Sequence, residues 1–428
     1  MLVADHEECA LRNPDLIVIG AGAAGLLAAG TAAAGGGRVL LLEKMPRLGL
    51  KLAITGKGRC NLTNIEPRGA FESHFGDHGN WLQPAFDAYF SAALMAFVQA
   101  EGVPLVTERG GRVFPANGRA PDVVKALVSW VRRQGVEIRL RHPVSRLRVG
   151  ADGRISGVGA ATGDLDCGAV VLASGGASYP GTGSSGDGYE LAGRVGHTIV
   201  PPRAALVPLI TCPAPDRALD GLGLKNVRVW LLVDGQPVAE GFGEMGFTTF
   251  GINGPVVLSL SGQAVDALAA GREVRLRVDL KPALSETKLR ARLDRDLASR
   301  AAEPMRSILR GLLPKPLVET CLASMGIRGS VLGSRLAAGQ REALVGWLKG
   351  MELAISGHRG MNEAIVTAGG VALEEVCPET MESRRVPGFY FAGEVLDVHA
   401  DTGGYNLQAA FSTGVLAGRN AVGLTAPR

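Results

Sequence analysis

Clustered metal ligands and nucleophile motifs are scarce in these 428 residues. The six cysteines, Cys9, Cys60, Cys167, Cys212, Cys321 and Cys377, form no CxxC pair and no zinc spacing, so no metal site is expected. No P-loop and no Ser–His–Asp order is present, which argues against Walker-type phosphoryl transfer and triad hydrolysis. Met1 to Pro14 is polar and carries acids, without the apolar core of a secretion signal; a cytoplasmic chain with free thiols is expected. The longest uncharged run that raises a membrane span, Leu16 to Gly37, contains seven glycines. Its apolar part is a short β-branched run followed by alanines, so no membrane helix is expected there.

Glycine, by contrast, is plentiful at 60 residues, gathered in clusters without low-complexity repeats. Bare loops of that kind suit close approach to a ligand. The length predicts two or three domains. The order of elements predicts an α/β fold, a Rossmann-like domain split in sequence. Its first part is residues 1–195 and its second 351–428. An insertion at 196–350 is β-rich over 205–280 and helical over 285–350, with breaks at Pro304, Pro314 and Pro316.

The sharpest motif is Gly20-x-Gly22-x-x-Gly25, after a strand-like Asp15–Ile19 and before an alanine-rich helix that includes Ala23 and Ala24. A second strand then ends in Glu43, followed by Lys44. The glycines permit a tight turn, backbone approach to a pyrophosphate and close helix–strand packing. The helix N-terminus offers free N–H groups, and Glu43 offers acceptors to a ribose. This pattern predicts dinucleotide binding.

Three further glycine-rich segments sit at strand ends, which favours a long ligand, FAD rather than NAD. The first, Leu52–Asn64, brings Gly56, Gly58, Arg59, Cys60, Asn61, Leu62 and Thr63. The second, Ser174–Gly188 after Ala173, brings Gly175, and the third brings Gly393, Glu394, Gly403, Gly404, Tyr405, Asn406 and Leu407. Glu394 is expected on a ribityl hydroxyl. The helix opening at Gly403 is expected to face the pyrimidine side of a flavin, where reduction builds negative charge. A second match, Gly181-x-Gly183-x-x-Gly186, lacks a strand immediately before it and is not expected to be a separate nucleotide site.

GAGAAGLLAA, TGKGRCNLTN, GRVFP, ASGGASYPGTGSSGDGY, GEMGFTTFGINGP, TMES and GFYFAGEVLDVHADTGGYNLQ together resemble the BaiN-type flavoproteins, the family of a bile-acid-pathway reductase and a ribosomal RNA dihydrouridine synthase. The resemblance runs from residue 15 past 415. It implies a two-part FAD domain, an inserted β-barrel plus helical domain, and a loop at Leu52–Asn64 beside the cofactor. DVHADTGG departs from the family pattern, putting His399 and Asp401 where the substrate side is expected. Tyr179, His399, Asp401 and Tyr405 are candidate proton donors. Cys60 reads either as a redox or nucleophilic thiol or as a packing residue, and no second thiol or base within its loop supports the first.

The reading is an FAD-dependent oxidoreductase that reduces an activated carbon–carbon double bond of a small molecule, with NAD(P)H as transient donor. One alternative is the same chemistry on large-subunit ribosomal RNA. Residues 281–349 hold thirteen Lys and Arg against six Asp and Glu, but only one aromatic, Trp347, for stacking on bases. Another is an FAD-dependent hydroxylase or a flavoprotein without turnover. Composition says nothing of the oligomeric state.

Overall fold

The computed structural model describes residues 13–160 and 162–423; Cys9 lies outside them. It divides into two compact units, residues 1–203 with 366–428, and residues 204–365.

The first unit is built on a parallel sheet. Its strands are β1 (Leu16–Ile19), β2 (Val39–Glu43), β3 (Glu137–Leu140), β4 (Ala169–Leu172) and β5 (Phe389–Phe391), in the order β5-β4-β1-β2-β3. The central β1 and β4 are buried along their whole length, which is why their sequences LIVI and AVVL show no polar alternation. Helix α1 (Ala23–Ala34) connects β1 to β2, and the long closing helix α2 (Tyr405–Ala421) packs across it. Small residues set that crossing: a Cβ on Gly414 would lie 2.4 Å from the Ala24 carbonyl oxygen, and one on Gly418 would lie 2.3 Å from that of Ala28.

The second unit holds a closed six-stranded barrel, with strands 209–211, 251–253, 236–247, 223–233, 274–279 and 351–358 in spatial order. Two features depart from the expected 196–350 insertion. A buried-faced helix, Pro255–Ala269, lies inside the stretch read as β-rich. Strand Met351–His358 closes the barrel beyond residue 350 and carries the unit to Ile365. The helical part follows the expected order, but Pro316 starts the helix Lys315–Ser324 rather than breaking one. Among the described residues no helix is long and apolar enough to cross a membrane, and none of their His, Cys, Asp and Glu groups could hold a metal.

Candidate cofactor and active site

The Gly20–Gly25 turn is held from two sides. Gly20 has φ +98°, and a Cβ there would sit 2.5 Å from the Ala173 carbonyl oxygen at the end of β4. A Cβ on Gly25 would fall 1.8 Å from the Gly20 carbonyl oxygen. Gly22 is different: it has an ordinary φ of −80°, and a Cβ there would meet no atom within 4 Å. The α1 N-terminus beside it has no side-chain cap and no acid in its first turn. No side chain of the protein caps its amides, which leaves them to an anionic phosphate. Glu43 accepts from the Ala21 N–H and the Met45 N–H, both at 2.8 Å, one on each carboxylate oxygen. Each oxygen keeps an acceptor site for a ribose hydroxyl.

Glu394 is equally well placed. One of its oxygens accepts from the Thr367 N–H at 2.8 Å and the Ser178 hydroxyl at 3.2 Å; the other takes Lys51 Nζ at 2.6 Å. Lys51 also donates to Ser178 Oγ at 2.7 Å. Three acceptor positions are filled, and one is left for a ribityl hydroxyl. Gly393, at φ +74°, packs its bare face on Ala24.

The stretch Leu52–Asn64 is not all loop: Leu50–Ile54 forms a short helix. Gly56, Lys57, Gly58 and Cys60 then all take positive φ, coiling the chain until Leu62 and Asn64 join a three-stranded sheet with 112–115. This coil meets the turn that opens α2. A Cβ on Gly404 would lie 2.5 Å from the Thr63 carbonyl carbon and oxygen, so glycine is required there. Thr63 Oγ1 bonds Gln408 Oε1 at 2.7 Å, while Asn64 Nδ2 donates to the Gly403 carbonyl and to Tyr405 Oη, each at 3.3 Å. Two glycine-rich motifs some 340 residues apart thus form one wall. The buried Oδ1 of Asn61 in that wall has no donor, an unusual cost unless a ligand N–H meets it.

Several expected cofactor contacts are spent inside the protein instead. Lys44 Nζ bonds Ser185 at 2.6 Å and Asp187 at 2.7 Å. The Arg59 guanidinium lies 4.2 Å over the Phe114 ring and pairs with Glu108. Thr63 is turned to Gln408, and Asn406 caps its own turn through Ala400 and Asp401. Leu62 is fully buried and Leu407 packs against the core, so their side chains are structural. Ala173 and Gly175 shape the β4 end, with Gly175 at φ +76°.

Cys60 is corrected as a chemical group. It is fully buried, and burial pushes its thiol up to about 12, far from a usable thiolate. Its role is packing. Tyr405 is corrected as a direct donor: its hydroxyl donates to Glu66 Oε2 at 3.0 Å, and burial with that carboxylate raises its pKa. Asp401 accepts from His74 Nδ1 at 3.1 Å. His399 is half-buried in the same turn. Tyr179 stands apart in the Ser174–Gly188 loop. It is a non-glycine residue at φ +53°, half-buried, whose phenol makes no hydrogen bond to any described residue. Sequence reasoning missed Lys51, Glu66 and His74; no motif marks them, since each acts through a partner far along the chain.

An uncapped helix start, two carboxylates with spare acceptor positions and a second helix opened by glycines fit one extended FAD. They define a Rossmann-type flavoprotein of the oxidoreductase class. The chain belongs to the family described as HI0933-like protein Rossmann domain, whose model matches residues 14–420. It is 35% identical over 406 residues to a 3-dehydro-bile acid delta(4,6)-reductase of Clostridium scindens, covering 94% of this chain and 98% of that one. It is 34% identical over 413 residues to a ribosomal RNA dihydrouridine synthase of Escherichia coli, covering 93% and 96%. Among solved structures, a 3-ketosteroid delta1-dehydrogenase from Sterolibacterium denitrificans superposes with a TM-score of 0.51 at 14% identity, over 96% of this chain and 99% of that one. That likeness shows the fold.

Proposed function

We propose that this protein binds FAD and, with NAD(P)H as electron donor, reduces an activated carbon–carbon double bond of a small molecule. Bound FAD, once reduced by NAD(P)H, would supply a hydride to one carbon of that bond. Tyr179 would deliver the proton to the other, its phenolate then recovering a proton from water. The observation that carries the reading is the position of Tyr179: a phenol with no hydrogen-bond partner among the described residues, on a backbone held at φ +53°, following Ser178, whose hydroxyl bonds the Glu394 carboxylate. Strain of this kind persists only where the surroundings impose it. Glu43 and Glu394 would hold the two sugar portions, and the α1 N-terminus the pyrophosphate. The α2 N-terminus would stabilise charge on the pyrimidine side. The reductase name of the Clostridium scindens relative supports the same chemistry.

A second reading, reduction of a uridine in ribosomal RNA, is favoured by a set of exposed cations in the second unit. Arg306, Arg310, Lys315, Arg328 and Arg335 are exposed, and no carboxylate pairs with them among the described residues. Three other cations of the region have carboxylate partners: Arg290 pairs with Glu286 and Glu342, Arg300 with Glu303, and Lys349 with Asp279. The Escherichia coli relative supports this reading.

The test is anaerobic reduction of the purified protein with NADH or NADPH, followed at the flavin absorbance band. Reoxidation is then tried with enones and with ribosomal RNA from cells lacking the protein. Reoxidation by an enone supports the first reading and by the RNA the second. Hydroxylated product with oxygen, or inert flavin under every donor, contradicts both.

A further inference from the structure

A cluster of ionisable groups, with His74 and Glu66 from outside the expected motifs, holds the turn that opens α2. His74 Nε2 lies 3.1 Å from Glu66 Oε2, and its Nδ1 lies 3.1 Å from Asp401 Oδ2. A neutral imidazole donates from one nitrogen only, so carboxylates at both nitrogens are satisfied together by the doubly protonated ring. The ring also stacks on Tyr405, with centroids 3.9 Å apart and an interplanar angle of 19°. Tyr405 in turn donates to the same Glu66, and the Asp401 N–H contacts the His74 carbonyl at 3.4 Å. The other charged side chains on the neighbouring helix Arg68–Ser73 are engaged away from this ring: Arg68 pairs with Glu72 and Asp87. Glu66, Asp401 and Tyr405 are thus the titratable groups that face His74.

We propose that His74 is a positioning residue whose positive charge pins the Asp401–Tyr405 turn at the α2 N-terminus and makes the grip on the flavin pH-dependent. This rests on the reading of that turn as the flavin's pyrimidine-side wall. With the imidazolium in place, Asp401 and Tyr405 are anchored, and its charge offsets part of the negative charge that Glu66 and Asp401 place beside the helix terminus. Deprotonation leaves a ring that satisfies only one carboxylate, loosens the turn and removes the charge. Both carboxylates raise the pKa of His74, the Asp401 hydrogen bond most, against the opposing effect of burial. The charged form therefore holds at low pH and is lost as pH rises through the folded value.

FAD affinity of the apoprotein, measured by fluorescence titration from pH 5.5 to 9, tests this. Wild-type affinity is expected to weaken about fivefold to tenfold on the alkaline side, the scale of a partly buried charge at a helix terminus. His74→Gln should bind at the weak limit with no such transition. Asp401→Asn, which keeps the ring but removes one carboxylate, should move the transition to lower pH. Parallel profiles in wild type and His74→Gln, or an unmoved transition in Asp401→Asn, overturn the proposal while leaving the flavin reading intact. Failure of the wild type to bind FAD at any pH overturns both.

Discussion

Replacing Gly22 by alanine separates a glycine needed by the fold from one needed by a ligand. At Gly25 the two roles cannot be told apart, because an added Cβ lands 1.8 Å from a backbone oxygen and the fold itself fails. At Gly22 the added methyl meets nothing within 4 Å, and φ of −80° suits alanine. Two small opposing effects act on stability. Alanine is a poorer N-cap than glycine, at about 0.5–1 kcal/mol, while the lost flexibility of the unfolded chain returns about 0.4–1 kcal/mol. They offset, so unfolding free energy should change by no more than about 0.5 kcal/mol. Ligand binding should respond quite differently. The methyl stands where the phosphates must approach the α1 amides, and losing one charge-assisted hydrogen bond there costs about 1.5–3 kcal/mol. That corresponds to a dissociation constant for FAD weaker by roughly tenfold to a hundredfold. Urea unfolding of the apoprotein and fluorescence titration with FAD measure the two quantities. Undiminished FAD affinity in a folded Gly22→Ala protein would refute the placement of the pyrophosphate, and loss of folding would refute the open-space argument.

Other consequences are as direct. Tyr179→Phe should lower turnover of an enone by about 10²- to 10⁴-fold, the usual worth of a positioned proton donor; FAD affinity should stay unchanged. Stopped-flow flavin reoxidation reads the first and fluorescence titration the second. Cys60 should resist iodoacetamide in the folded protein at pH 8, by mass spectrometry of the labelled peptide, because its thiol stays protonated. His197 is buried between Glu375 and Ser383, and burial lowers its pKa. Its neutral form supplies stability that is complete above the unfolded value and lost as pH falls below about 6.5. Urea midpoints measured from pH 8 down to 5 should therefore fall in wild type, and less steeply in His197→Gln.

What could be read in the sequence was local. Leu16 to Glu43 carries its own strand, turn, helix and strand within thirty residues, and the structure keeps each in place. The helix 255–269 was hidden because VVLSLSG reads equally as a buried strand, and only Pro255 at its first turn marks a helix start. The closing barrel strand 351–358 alternates weakly and follows directly on a helix, so its pairing with 274–279 was not legible. The same limit applies to the site. Lys51 reaches Glu394 across 343 residues and His74 reaches Asp401 across 327. Nothing in either neighbourhood announces its partner. Arg59 and Asn406 lay in recognisable motifs, yet a nearby Glu108 and an open turn claimed them first.

The most direct measurement is the absorbance spectrum and flavin content of the purified, gel-filtered protein, with FAD added where the preparation lacks it. The account predicts one FAD per chain, with the flavin band bleached by NADH or NADPH without oxygen. A colourless protein that takes up no FAD on reconstitution would contradict it.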